Sequence, residues 1–151
     1  MKIGTYEIQV PFVTTSSDKL KTLKKLSDLA PSPTAVDLGS GDGRVALELA
    51  KWGFDTTGYE IKKELVERSK IRALNMGIED KVFFFEKDFW NENLSSFSLI
   101  YIYGMNSIMG RLEKKLETEM KSDAILITNI FKLPHWKVKK MENNFYLYYK
   151  Q

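Results

Sequence analysis

The amino-acid sequence predicts an α/β fold: a doubly wound, mostly parallel sheet of about seven strands, with helices on both faces and an antiparallel hairpin at the carboxyl end. Three observations lead to this prediction. Short apolar segments alternate with amphipathic ones, as they do where helices join parallel strands. A glycine-rich segment directly follows the first apolar one. Two short segments flank Asn143-Asn144 near the end of the chain, and this pair suits the positive φ angles of a tight hairpin turn.

The spacing of apolar residues predicts each element. Leucines from Leu20 to Leu29 lie at helical intervals and predict a first helix, which Pro31 ends. Residues 62–76 predict a later helix that is closed by Gly77. The predicted strands are 35–38, 54–59, 82–85, 97–103 and 124–131, then the hairpin strands 137–141 and 145–149; two further helices carry Val45 to Trp52 and Ile108 to Met120.

Length and composition limit the classes of function. The 151 residues, 43% of them hydrophobic, predict one globular domain that covers residues 1–151. The chain has no cysteine and a single histidine, His135, so we expect neither disulfides nor a metal site. The net charge is only +3 and the lysines are dispersed, which makes nucleic acid an unfavoured partner. No apolar run approaches the roughly 20 residues that span a bilayer, so we expect a cytoplasmic protein without membrane association.

The strongest motif is the segment from Asp37 to Arg44, Asp-Leu-Gly-Ser-Gly-Asp-Gly-Arg, which joins the first predicted strand to a helix. A dinucleotide fingerprint would need glycine at Arg44, and a phosphate-binding loop would need Gly-Lys-Ser/Thr, which is absent. An acid followed by three alternating glycines is typical of sites for S-adenosylmethionine. The alternative is that the three glycines only form a tight turn.

Two more acids follow the next two predicted strands. Glu60 ends the second strand about 20 residues past the loop, the spacing at which a carboxylate meets a ribose diol. Asp88 follows the third strand and precedes Phe89, so that an acid could accept from an adenine amine while an aromatic ring covers the base. The order of loop, Glu60 and Asp88 supports the same cofactor.

The sequence resembles the class I, Rossmann-like, seven-strand methyltransferases. More narrowly, it resembles a small family of protein-lysine methyltransferases that includes a broad-specificity archaeal enzyme and the mitochondrial enzymes that modify an ATP synthase c-subunit and an adenine nucleotide translocase. The segments that carry the resemblance are Pro11 to Ser16, Val36 to Arg44, Gly58 to Ile61, Asp88 to Trp90, Leu112 to Leu116 and Leu133 to Trp136.

The resemblance implies a methyltransferase that uses S-adenosylmethionine, releases S-adenosylhomocysteine and needs no metal. Its predicted cofactor-binding residues are Thr15, Ser16, Asp37, Gly39, Ser40, Gly41, Asp42, Gly43, Arg44, Glu60, Asp88 and Phe89. Residues 1–16 are expected to form an irregular segment that closes over the cofactor. Ser16 has an alternative role as an ordinary helix cap.

The expected acceptor is a lysine amine on proteins with exposed lysines, including the enzyme itself by automethylation. The predicted catalytic residues are Tyr103, Asn106 and Trp136: aromatic rings to hold the lysine and its ammonium product, and an amide to orient the amine. Packing in the core is the alternative for Tyr103 and, with equal weight, for Trp136. An exposed turn is the favoured interpretation of His135.

Two alternative functions stay open. An RNA methyltransferase would need a basic face or an added binding module. A non-catalytic methyltransferase fold that acts as an interaction partner would conflict with the intact loop at Asp37 to Arg44 and with Glu60.

Overall fold

A computed structural model describes residues 16–151. The helices are α1 (Ser17–Ser27), α2 (Arg44–Lys51), α3 (Lys63–Asn75) and α4 (Asn106–Glu119), and a short 3-10 helix spans Phe89–Asn91. The strands are β1 (Thr34–Leu38), β2 (Asp55–Glu60), β3 (Val82–Glu86), β4 (Leu99–Ile102), β5 (Ile125–Asn129), β6 (Lys140–Glu142) and β7 (Phe145–Tyr149).

The strands form one seven-stranded sheet in the order β3-β2-β1-β4-β5-β7-β6. Strands β1 to β5 are parallel, β7 runs antiparallel to β5, and β6 runs antiparallel to β7. The predicted fold is therefore confirmed, including its antiparallel ending. The carboxyl ends of β1 to β5 all meet at one edge of the sheet, which we call the carboxyl edge, and ligand sites of such sheets lie there.

Helices cover both faces of the sheet, as predicted. In β4, Ile100 and Ile102 pack into a core cluster with α4, whereas Leu99 and Tyr101 pack into a second cluster with α1 and α2. A third cluster joins α2 and α3 to β3. Within residues 16–151, α4 is the one α-helix on its face, and no helix is long and apolar enough to cross a membrane.

Some boundaries differ from the predicted ones for local reasons. Strand β5 ends at Asn129 and not at Phe131, because Ile130 has a φ of 75° and turns the chain out of the sheet. Helix α1 ends at Ser27, ahead of the prolines. The hairpin turn is confirmed, since Asn143 and Asn144 have φ angles of 56° and 65°.

Helix α4 also fixes the connection from β3 to β4, residues 87–98, which contains only the 3-10 turn. The ammonium group of Lys115 donates to the carbonyls of Trp90 (3.2 Å) and Glu92 (2.7 Å) and to Glu119 Oε2 (3.0 Å). Glu119 Oε1 in turn accepts from the N–H of Leu94 at 2.9 Å. The side chain of Lys115 is only 10% exposed, so this connection is attached to α4 through a mostly buried charge.

Replacement of Lys115 by methionine tests this attachment. Lys115→Met should lower the free energy of unfolding by about 2 kcal/mol, because it leaves two carbonyls and the Glu119 carboxylate without their donor. The exposed neighbour Lys114 provides the matched control, and Lys114→Met should stay within about 0.5 kcal/mol of wild type. Urea unfolding measures both, and equal losses would contradict a specific role of Lys115.

Candidate functional site

The loop from Asp37 to Arg44 turns sharply between β1 and α2 at the carboxyl edge. Gly39, Gly41 and Gly43 all have positive φ angles, of 72°, 60° and 88°. A side chain at Gly43 would lie 2.8 Å from Ser69 Oγ, so this position needs glycine for space as well as for backbone conformation. At Gly39, by contrast, an added Cβ would have no atom within 4 Å. The loop therefore packs tightly on its α3 side and is open at Gly39.

The loop is held against the end of β2. The N–H groups of Gly39 and Ser40 both donate to the carbonyl of Tyr59 at 2.9 Å. Glu60 is buried, and its Oε1 accepts from the N–H of Gly41 at 2.9 Å while its Oε2 accepts from the N–H of Lys62 at 3.0 Å. The structure thus brings the predicted ribose-binding acid into direct contact with the glycine loop.

Asp37 lies beneath the loop and is only 3% exposed. Burial raises the pKa of its carboxyl to about 8, and the nearby Glu60 carboxylate adds to the increase. A hydrogen bond from the backbone N–H of Ala46 partly opposes this shift. The Asp37 carboxyl is therefore mainly protonated at neutral pH and connects β1 to the first turn of α2.

The polar side chains of the loop point away from its open side. A Cβ at Gly58 would lie 2.9 Å from Ser40 Oγ, so the Ser40 hydroxyl faces β2. Asp42 Oδ2 lies 3.2 Å from Arg44 Nε and 3.4 Å from Arg72 Nη2. The Asp42 carboxylate thus attaches the loop to α3 through Arg72, whereas the buried Ser40 hydroxyl has no hydrogen-bond partner among the described residues.

Asp88 and Phe89 follow the end of β3, which pairs with the end of β2 at Glu60, and Phe89 packs partly against the core cluster beneath α4. The N–H of Lys87 donates to the carbonyl of Glu60 at 3.1 Å, which carries the two following residues past the end of β2. Asp88 is exposed and also caps the 3-10 turn by accepting from the N–H of Trp90 at 3.0 Å. Ile61, which the sequence prediction missed, is 66% exposed beside them. The sequence signal that could have indicated Ile61 is its position as an apolar residue directly after the predicted ribose-binding acid Glu60.

A cleft of about 780 Å³ lies between the start of α4 and the chain that leaves β5. We call it the acceptor cleft because its lining includes Asn106, which the sequence predicts on the acceptor side. It is lined by Asn106, Ser107, Met109, Gly110, Ile130, Phe131, Lys132, Leu133, Pro134 and Tyr146. Tyr103, at the end of β4, lies against Phe131 in an edge-to-face contact with 6.4 Å between the rings. The structure thus places Asn106 in this cleft and Tyr103 beside it, and it adds Phe131, which the sequence prediction missed.

Trp136 is placed differently. It is 7% exposed and packs edge-to-face on Tyr148 in the core cluster beneath α4, so its position fits packing better than contact with an acceptor. Hydrogen bonds to Glu113 hold the backbone of Trp136 in this position. This buried carboxylate accepts from the backbone N–H groups of His135 (2.8 Å) and Trp136 (2.9 Å) and lies 2.7 Å from His135 Nδ1. The His135 side chain is 83% exposed, as expected for a turn residue.

Glu113 was also missed, because a glutamate on an amphipathic helix normally faces solvent. Burial alone would raise its pKa, but the hydrogen bonds from His135 and Trp136 lower the pKa of Glu113 below its ordinary value. The segment that follows β5 is thereby attached to α4.

The predicted N-terminal contacts are only partly described. Thr15 lies outside the described residues. Ser16 caps α1, since its hydroxyl accepts from the N–H of Lys19 at 3.2 Å. The Lys19 ammonium donates to Asn129 Oδ1 at 2.7 Å, which places the start of α1 at the carboxyl edge. Within residues 16–151, no group of three or more histidine and carboxylate side chains could hold a metal ion.

The chain matches a family model described as the ANTKMT methyltransferase domain over residues 37–140. It is 35% identical over 145 residues to the lysine N-methyltransferase of the ATP synthase c-subunit from Homo sapiens, covering 89% of this chain and 62% of that protein. It is 23% identical over 140 residues to a protein-lysine N-methyltransferase of Saccharolobus islandicus, covering 91% and 86%. The chain thus spans about three fifths of the length of the human relative.

Among solved structures, an RNA methyltransferase from Salinibacter ruber in complex with S-adenosyl-L-homocysteine superimposes with a TM-score of 0.81. The two chains are 23% identical, and the match covers 90% of this chain and 91% of the other. At this identity the likeness establishes the fold, and it agrees with the seven-strand order described above.

Asp37→Asn tests the buried carboxyl. The unfolded chain releases the Asp37 proton near pH 3.9, whereas the folded protein keeps it up to about pH 8. Unfolding therefore releases a proton in this window, and stability falls as pH rises, by at most about 1.4 kcal/mol per pH unit. Asp37→Asn should remove this pH dependence. The free energy of unfolding of the variant, relative to that of wild type, should therefore increase as pH rises from 4 to 8.

Urea unfolding of the ligand-free protein across this pH range measures the difference. The control is Asp55→Asn, at a carboxylate whose side chain is 68% exposed, and it should keep the wild-type profile. Parallel profiles for wild type and Asp37→Asn would show that the Asp37 carboxyl ionises normally.

Proposed function

This chain belongs to the ANTKMT methyltransferase domain family, and on that premise we propose that it binds S-adenosylmethionine and transfers the methyl group to lysine side-chain amines of proteins. One observation carries the proposal: the glycine loop is hydrogen-bonded to Glu60 at the carboxyl edge, and the cleft between the start of α4 and the chain that leaves β5 opens at the same edge. Cofactor and acceptor would thus meet where parallel sheets of this type bind their ligands.

The residues at the loop fit this cofactor. The open space at Gly39 allows a ligand to contact the backbone. Glu60 presents a carboxylate, which accepts hydrogen bonds from the two hydroxyls of a ribose. Asp88 would accept from the adenine amine, and Ile61 and Phe89 would cover the base with apolar surface. When bound, the cofactor supplies an electrophilic methyl group on a sulfonium sulfur.

The acceptor cleft suits an uncharged amine. A lysine must lose its proton before its nitrogen can act as a nucleophile, and its ordinary pKa is about 10.4. The first residues of α4, Asn106 and Ser107, line the cleft, and the N-cap Met105 makes no side-chain capping bond, so the positive end of the helix dipole would act on an amine that enters there. Lys132 adds a positive charge, and the described lining contains no carboxylate. Both positive features lower the pKa of an acceptor amine.

No residue of the cleft needs to act as a strong base. Burial raises the pKa of Tyr103, so its phenol stays protonated at neutral pH and serves as a hydrogen-bonding and packing group. The amide of Asn106, at the first position of α4, would orient the amine by accepting one of its hydrogens. Positioning an already neutral nucleophile in line with the methyl group then accounts for the catalysis.

The lysine acceptor is supported by the relatives, which are lysine N-methyltransferases by name. The absence of cysteine excludes methyl transfers that need a cysteine nucleophile from this chain. Proteins with exposed lysines, and the chain itself by automethylation, are the proposed substrates. Residues 1–15 precede α1, whose start lies at the carboxyl edge, and this supports the proposal that Thr15 and its neighbours contact the cofactor. A cytoplasmic location stays a prediction.

Glu60→Ala tests the cofactor site. Isothermal titration with S-adenosylhomocysteine should show binding to wild type and a loss of about 10- to 100-fold in the variant, since hydrogen bonds to a charged group contribute about 1.5–3 kcal/mol. Glu86 pairs in register with Glu60 on the adjacent strand and is exposed, so Glu86→Ala is the matched control and should bind normally. Equal affinity of the Glu60 variant would remove this residue from the site, and binding of NAD instead would refute the cofactor.

Tyr103→Ala tests the acceptor side. With labelled S-adenosylmethionine and a lysate from the host, mass spectrometry should find methyl groups on lysines. Tyr103→Ala should lower turnover about tenfold or more while cofactor affinity is retained, because the ring lies against Phe131 in the acceptor cleft wall. Tyr103→Phe keeps the ring and should retain most activity if packing is the main contribution. Label confined to RNase-sensitive material would establish an RNA methyltransferase instead.

A further inference from the structure

Ile130 has a strained backbone where the chain leaves β5. Its φ is 75°, and the N–H of Phe131 donates to the carbonyl of Asn129 at 2.9 Å, which closes a three-residue γ-turn around it. The N–H of Ile130 itself donates to the carbonyl of Asn144 at 2.7 Å. A β-branched residue rarely adopts a positive φ, whereas glycine does so without penalty. The sequence therefore places an unfavourable residue type at this turn.

Burial does not explain this choice. Residue Ile130 is 42% exposed and belongs to none of the core clusters of the described residues. It lines the acceptor cleft together with Phe131 and Lys132. Backbone strain that is not offset by packing is concentrated at functional sites. The strain thus points to a use for the exposed isoleucine surface in the cleft.

The chemistry of the cleft indicates what that surface contacts. The lining is mainly apolar and aromatic, and Met105, 54% exposed, lies at the start of α4 beside it. Lys132 is the one charged residue in the described lining, and its ammonium lies 5.3 Å from the centre of the Tyr146 ring. A basic residue next to a target lysine would find no carboxylate there and would be repelled by Lys132. An apolar residue would bury its surface against Ile130.

We propose that Ile130 is a specificity-determining residue, which selects acceptor lysines whose neighbours in the substrate chain are apolar and uncharged. The proposal rests on the proposed lysine methyltransferase function and adds the class of protein segment that occupies the acceptor cleft. The occupant is a lysine-bearing segment with apolar residues on either side of the lysine. The methyl-transfer step itself is unchanged: the amine nitrogen forms a bond to the methyl carbon, the sulfonium–carbon bond breaks, and one proton leaves for solvent.

Three synthetic peptides of equal length, each with a single lysine, test the proposal. The lysine is flanked by leucine and valine in the first, by glycine and serine in the second, and by arginine in the third. For the wild-type protein, kcat/KM for the apolar peptide should exceed that for the Gly/Ser peptide about tenfold, the size of discrimination that one apolar contact supplies. The arginine peptide should be the poorest substrate.

Ile130→Gly separates specificity from stability. Glycine adopts the observed φ without strain, so the variant should stay folded, with a melting temperature within about 4 °C of wild type. Its preference for the apolar peptide over the Gly/Ser peptide should fall from about tenfold to about twofold or less. Asparagine also tolerates a positive φ, and Ile130→Asn should abolish the preference in the same way.

Two control variants make comparable substitutions at residues that lie outside the cleft lining. Ile71 is an exposed isoleucine on α3, and Ile71→Ala should keep the wild-type preference. Asn144 has a φ of 65° in the hairpin turn, and Asn144→Gly should keep it as well. These controls show whether removal of any exposed isoleucine, or introduction of any left-handed glycine, changes peptide selection.

The possible results are distinct. Equal methylation of the first two peptides by wild type, or an unchanged preference in Ile130→Gly and Ile130→Asn, overturns this inference and leaves the proposed function standing. A failure of all three peptides while S-adenosylhomocysteine still binds overturns the lysine acceptor and this inference together. If Ile130→Gly does not fold, the peptide preference of Ile130→Asn decides, and unfolding of both variants assigns Ile130 a structural role and overturns the inference.

Discussion

The site depends on the hydrogen bonds between the glycine loop and the end of β2. The loop N–H groups of Gly39 and Ser40 both donate to the carbonyl of Tyr59, and that of Gly41 donates to Glu60. These bonds are possible because β1 and β2 are parallel and their residues Leu38 and Tyr59 lie side by side. One set of backbone contacts thus fixes the shape of the loop and the position of the acid that would bind the ribose. A substitution that changed the loop conformation would therefore also displace Glu60.

On the other side of the sheet, α4 has several roles because it is the one α-helix that covers this face in residues 16–151. Its apolar side packs on β4 and β5. Lys115 holds the connection that carries Asp88 and Phe89, and Glu113 holds the segment after β5. Its first turn borders the acceptor cleft. Buried charges on one helix therefore attach both the connection from β3 to β4 and the segment after β5 to α4.

The sequence was sufficient for the order of elements, for the glycine loop and for the place of Glu60 at the end of the second strand, because these follow from local apolar spacing and from the alternation of strands and helices. It was not sufficient where a residue depends on a partner distant in the chain. Glu113 binds a segment more than twenty residues away, so its burial had no local signal. Trp136 could equally have lined a channel or packed in the core, and its contact with Tyr148 is a tertiary property. The left-handed conformation of Ile130 contradicts the preference of isoleucine, so a strand was the natural prediction.

The chemistry of the acceptor cleft and the proposed selection of substrates have a common origin. A methyltransferase without a strong base needs its acceptor amine in the neutral form, and a positive local field favours that form. The start of α4 and Lys132 supply such a field. The same field opposes any additional cation beside the target lysine, and the described lining contains no carboxylate that would compensate. The proposed preference for uncharged neighbours would therefore follow from the proposed way in which the amine is deprotonated. In the proposed function, the strained Ile130 would add an attractive apolar contact to this electrostatic exclusion, so that one part of the cleft would favour the neutral form of the lysine and another part its apolar surroundings.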